Sequence, residues 1–240
     1  MVEIVNNLYR NMLAKVGSIL ILAWAFSIGA ASTANAALML ILDDPTTPVI
    51  EVTITDQGAG DFNPYVGAVT YIGSIGVFAV NVSTGLSKPI LGSAGVPSMD
   101  LSSIDLSGSG GSLQILLTDT GFTALGPAMM AIGGVSYAGN VTYTAWADES
   151  NVEFAMGIGN QLGILGPFSG AFSGTTGTGG LAASSTPYSL TQRVSIVHTA
   201  AGGATSFNAT LVVPEPGTLV LLGLALVGVA VFAKRRTPRK

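Results

Sequence analysis

Between about residue 37 and residue 212 the chain alternates short apolar runs with clusters of turn residues. Ile50-Glu51-Val52-Thr53-Ile54-Thr55 places Ile50, Val52 and Ile54 on one face, the period of a half-buried strand. Val141 to Ala147 alternates as strongly, and the spacing predicts that Val152 to Met156 pairs with it across 148–151. Leu38 to Leu42 reads as a first strand, stopped by Asp43-Asp44-Pro45. Val66 to Ile72 and Ile75 to Val82 read as strands meeting at Gly73-Ser74, and Leu101 to Leu106 and Leu113 to Asp119 flank a Ser/Gly turn. Residues 83–100 and 173–187 read as long connections from their Gly, Ser, Thr and Pro content. Gly163, Gly166 and Pro167 break the run from Leu162 to Phe172. Leu190 to His198 and Thr205 to Val212 are expected to close the pattern as a hairpin. No stretch here holds a 3.6-residue apolar stripe over three turns. The pattern predicts an all-β domain of about ten to twelve strands, a single jelly-roll-like β-sandwich.

The two ends break this pattern. Arg10 and Lys15 precede the apolar run Val16 to Ala31, and Ser32-Thr33-Ala34-Asn35-Ala36 follows. Basic region, apolar region and A-x-A site make residues 1–36 a secretory signal peptide, with Ala34 and Ala36 at the positions a signal peptidase inspects. Residues 37–212 are then the exported domain. At the other end Val213-Pro214-Glu215-Pro216 leads into an uncharged run from Leu219 to Ala233, then Lys234, Arg235, Arg236, Arg239 and Lys240. Two prolines within three residues keep the tetrapeptide extended and accessible. The apolar run can hide its backbone in lipid only as a helix, so a transmembrane helix is expected over 218–233. The basic segment 234–240 stays on the cytoplasmic side.

Residues 213–240 resemble the PEP-CTERM sorting signal of Gram-negative bacteria. The resemblance rests on Pro214-Glu215-Pro216, the Thr218-Leu219 pair, a Gly-bearing apolar run and Arg235-Arg236. It implies export through the general secretion machinery and transient residence in the inner membrane. It also implies recognition of Val213 to Pro216, Arg235 and Arg236 by exosortase, an integral-membrane cysteine peptidase. After processing, such a protein goes to the cell surface or the extracellular matrix, where exopolysaccharide becomes a further partner. The segment from Ile50 to Leu91 also resembles a β-rich ectodomain of other proteins with this signal, which implies fold and no activity.

Charge and residue inventory narrow the chemistry. Only Lys88 and Arg193 lie within 37–212, against eleven acids, a formal net charge of −9. Such a surface excludes nucleic acid bound through its phosphates. It meets an anionic polysaccharide only through bridging divalent cations. The absence of cysteine excludes thiol catalysis and thiolate metal sites. Asp56 and Asp61 flank a glycine-rich turn and are a calcium candidate, although Gly67 stands where an EF-hand carries its last ligand. Both are also ordinary turn residues. Asp148, Glu149 and Glu153 read as a hairpin tip, and the acids in general as turn residues. His198, the one histidine, shares a strand face with Val194 and Ile196, and no G-x-S-x-G elbow accompanies it. A structural role is expected. Trp146 with Tyr65, Tyr71 or Tyr188 could stack on sugar rings, or Trp146 could belong to a second buried face. The expectation is a non-enzymatic, cofactor-free protein of the surface or the biofilm matrix. A carbohydrate- or calcium-binding module is the alternative, and a secreted hydrolase the third reading.

Overall fold

A computed structural model of the chain describes residues 38–214. The signal helix and transmembrane helix expected from the sequence lie outside these residues. The described part is all-β. Its strands are β1 (Met39–Asp43), β2 (Val52–Thr55), β3 (Ala68–Ile75), β4 (Phe78–Leu86), β5 (Gly92–Ser93), β6 (Val96–Ser107), β7 (Gly111–Phe122), β8 (Pro127–Asp148), β9 (Gln161–Leu181), β10 (Tyr188–His198) and β11 (Gly203–Val212). One 3-10 turn, Ile158–Asn160, precedes β9.

All strands pair antiparallel in one 11-stranded sheet, along the path β2-β1-β7-β10-β8-β11-β6-β4-β3, with β5 on β6 and β9 on β8. The expected pair of separate sheets is replaced, at the level of hydrogen bonding, by this continuous path. The cause is β8. At 22 residues it would run about 73 Å if straight, whereas a domain of this length is only about 40 Å across. It bends at Ala138, which has φ 55, a conformation uncommon outside glycine. Residues 129–137 of β8 pair with β11, and residues 139–148 pair with β10. β10 and β11, expected as a hairpin, therefore diverge from their turn and pair with β8 rather than with each other.

Three further corrections have the same origin. Val152 to Met156 forms no strand; β8 pairs with β9 instead. Residues 173–181, a loop by composition, belong to β9, because pairing with β8 overrides weak strand propensity. Residues 96–100, placed within a connection, open β6. The β3–β4 turn falls at 76–77 rather than at Gly73-Ser74.

The core joins the two halves of the path. Leu40, Leu42, Val69, Phe78, Leu101, Leu113, Ile115, Tyr143, Val194, Phe207 and Leu211 belong to one buried cluster. Tyr143 of β8 reaches both β10 and β11: its hydroxyl lies 2.8 Å from Gln192 Oε1 and 3.1 Å from the Thr210 carbonyl. The Phe78 ring of β4 stands 5.0 Å from the His198 ring of β10. A Cβ on Gly85 of β4 would fall 2.2 Å from Leu117 Cδ1 of β7, so the Leu117 side chain packs directly on the β4 backbone at this glycine.

Candidate functional site

The sorting segment starts inside the fold. β11 lies between β6 and β8 and ends at Val212. Val213 is fully buried within the core cluster, and its N–H donates to the Pro97 carbonyl at 3.0 Å. Pro214 is exposed. Its carbonyl stands over Gly126, where an added Cβ would lie 2.8 Å from it. The chain thus leaves the core at one residue, with no spacer between the last strand and Pro214. Of the sorting residues, Val213 and Pro214 are described. Glu215, Pro216, Arg235 and Arg236, and the peptidase positions Ala34 and Ala36, lie outside the described residues.

Asp56 and Asp61 both belong to the loop that leads from β2 to β3, and their oxygens accept mainly from backbone amides. Asp56 Oδ2 accepts from the Gly67 N–H at 2.7 Å. Asp61 Oδ1 accepts from the N–H groups of Asn63 (2.8 Å) and Thr70 (2.9 Å), and its Oδ2 from that of Gln57 (3.0 Å). Carboxylates held this way organise a loop. Among the described residues no group of three or more His, Asp or Glu side chains converges as a metal site.

Not all acids lie at turns. Asp105 of β6 and Asp119 of β7 are fully buried. Asp119 is paired: Lys88 Nζ lies 2.8 Å from its Oδ2, the Ser87 hydroxyl donates to the same oxygen at 2.6 Å, and Lys88 stands over the Phe122 ring. Burial pushes the Lys88 ammonium down, and Asp119 pulls it back up. Asp105 has no cation. Ser103 donates to its Oδ1 at 2.9 Å, while Oδ2 is buried without a partner. Burial pushes this carboxyl up to about 7.

His198 is buried, as its strand face predicts, and both ring nitrogens meet hydroxyls: Ser107 Oγ at 2.7 Å and Thr205 Oγ1 at 2.9 Å. Burial holds its pKa down. A Ser–His pair at this distance has the spacing of a nucleophile and base, but it sits in the core, and no carboxylate hydrogen-bonds the ring.

Of the two readings of Trp146, the structure gives the buried one. Trp146 and Tyr188 are buried, and Arg193 lies over Trp146 at 4.9 Å from the ring centroid. Tyr65 remains exposed in the loop before β3, away from Trp146 in β8. One exposed aromatic that the sequence reading passes over is Tyr137, 71% exposed at the bend of β8. It borders a groove of about 590 Å³ with Asn140, Phe168, Ser169 and Thr199, where none of the lining residues is charged.

With that geometry in place, comparison with protein families gives one match, described as the PEP-CTERM protein-sorting motif, over residues 212–236. The chain carries a PEP-CTERM motif. The match begins at the final residue of β11, so motif and fold overlap at Val212 to Pro214. The PEP-CTERM motif implies export toward the cell envelope and processing by an exosortase. A search of curated proteins finds no match. Among solved structures, TmCBM61 in complex with beta-1,4-galactotriose aligns at 12% identity and TM-score 0.30, over 65% of this chain and 92% of its own. The K1 cleaved adhesin domain of Lys-gingipain from Porphyromonas gingivalis W83 aligns at 12% identity and TM-score 0.25, over 74% of this chain and 99% of its own. The active domain of Bacteriophage CBA120 tailspike protein 4 aligns at 11% identity and TM-score 0.27, over 65% of this chain and 20% of its own. Similarity this low assigns neither ligand nor activity.

Proposed function

We propose that this is a non-enzymatic protein of the cell surface or extracellular matrix, released from a transient inner-membrane anchor by exosortase. The observation that carries this reading is the PEP-CTERM motif placed directly after a completed β domain. The run from Thr218 to Ala233 is 16 residues, roughly 24 Å as a helix against a hydrocarbon core of ~30 Å. Such a helix anchors with the help of snorkelling Lys234 and Arg235 but is poorly matched for permanent residence. On this reading the curled sheet is a sandwich scaffold, Asp56 and Asp61 staple a loop, and the buried His198 cluster serves the core. In a host with an exosortase, the wild-type chain loses its tail mass and leaves the inner membrane. The Pro214→Ala, Pro216→Ala variant keeps residues up to Lys240 and stays there. Surface-exported wild-type protein that still carries Lys240 by intact mass would replace this reading with a plain membrane anchor.

A further inference from the structure

Besides the two-residue β5, the described sheet has three outer strands, and the chain treats them differently. β2 is four residues long. Its entry is tied by Glu51, which accepts from the Asp44 N–H at 2.7 Å and from the Thr47 hydroxyl. The outer edge of β3 is plugged. Phe62 N–H donates to the Thr70 carbonyl at 3.0 Å, Thr70 N–H donates to Asp61 at 2.9 Å, and a bulge follows between Tyr71 and Gly73. β2 and β3 also lie against each other. The third edge is β9. It is 21 residues long and pairs with β8 alone among the described strands.

A bare edge presents a row of backbone donors and acceptors, which β proteins blunt with charge, proline, bulges or short strands. Beyond the Gly166-Pro167 break, β9 carries none of the first two. It has no charged side chain, and from Gly170 onward no proline. Its neighbours are equally neutral: β8 has no charged residue before Asp148, and β11 has none. Ala171, Ser173, Thr175 and Gly177 form an exposed row, and Phe172, Gly174, Thr176 and Thr178 a half-covered one.

We propose that β9, over residues 170–178, pairs edge to edge with β9 of a second copy, antiparallel about a two-fold axis. Charge selects the occupant. Two domains of formal charge −9 repel across most of their surfaces, but along β9, β8 and β11 they meet without like charges. A cationic partner would be drawn instead to the acids of β1 and the loops. Antiparallel pairing of one segment with itself satisfies a two-fold axis, because the same surface serves both copies. Facing threonines supply cross-strand contacts. The interface is independent of the sorting tail and goes beyond the function proposed above.

The chain has no cysteine, so single cysteines report contacts between copies without background. Ala171→Cys, Ser173→Cys, Thr175→Cys and Gly177→Cys are made one at a time in the full chain, with Thr53→Cys in β2 and Ser74→Cys in β3 as controls. Under mild oxidation at least one β9 position gives a disulfide dimer at ten or more times the yield of both controls. Ser173→Lys in the Thr175→Cys background puts a charged side chain on the neutral edge of each copy, the device that blunts edge pairing, and cuts that yield by about tenfold, with the melting midpoint checked in parallel. Absence of dimer at all four β9 positions, or equal dimer at Thr53→Cys and Ser74→Cys, overturns the proposal whatever the lysine variant does.

Discussion

Asp105 is the residue whose environment departs furthest from its chemistry. Its carboxyl faces Val80 and Thr205 across the ladders of β4 and β11, has one hydroxyl donor in Ser103, and leaves Oδ2 unpartnered. Folded, it holds its proton to about 7, well above the ordinary aspartate value of 3.8. Between those limits the native state binds more protons than the unfolded chain, so stability is fully present near pH 4 and falls as pH rises through 7. His198 acts in the opposite sense: its folded pKa is lowered, so its burial destabilises as pH drops below 6.5. Asp105→Asn keeps an acceptor for Ser103 and removes the charge. It should raise stability at pH 8 by on the order of 4 kcal/mol and leave it nearly unchanged at pH 3. Thermal melts at the two pH values test this, and an equal effect at both would refute it. At this scale the sequence was partly legible. The face of His198 followed from strand period, and Asp56 and Asp61 followed from turn chemistry. Asp105 was hidden, because its alternation with Ser103 and Ser107 looks like a solvated strand face; only the folded-over sheet makes that face a core.

Among the elements, β8 decides the architecture. Its second half was legible in the alternation of Val141 to Ala147. The join was not, since Gly133, Gly134 and Gly139 look like turn residues. The structure gives them another role. A Cβ on Gly134 would fall 2.1 Å from the Ser206 carbonyl oxygen, and one on Gly139 would fall 2.3 Å from that of Val197, so these glycines let neighbouring backbones approach. Glycine has the same use in β4, where Gly85 faces Leu117. Gly85→Val should overpack this contact and lower stability by about 1–3 kcal/mol. A urea midpoint unchanged from wild type would show that β4 and β7 are not packed as described. β9 was missed for a related reason: a strand of Gly, Ser and Thr has little propensity of its own and exists through its partner.

For the whole molecule, the all-β class and the tail were readable, because both rest on local pattern. Strand order was not, since every ladder except β1–β2, β3–β4, β5–β6 and β8–β9 joins strands that are not consecutive in the chain. The overlap of motif and fold sets a limit on processing. Val213 fills the core and closes a hydrogen bond to Pro97, so a cut on its amino side would open a buried site. The mature protein should therefore end at or beyond Val213, which the C-terminal peptide in a mass spectrum will show. A terminus at Val212 or earlier would contradict the arrangement. The position of β11 also governs when the fold can form. Export delivers the chain from its amino end, so β6 and β8 reach the far side of the membrane well before the strand that lies between them. Until residue 212 has crossed, that slot stands empty, and two central strands keep an unpaired edge. The strand that fills it emerges just ahead of the apolar run at Leu219, so on the membrane-anchored reading proposed above the domain closes only once that run has halted the chain. On that reading each copy completes its fold while tethered at the membrane, held apart from other half-finished copies at the stage when their open edges would most readily join.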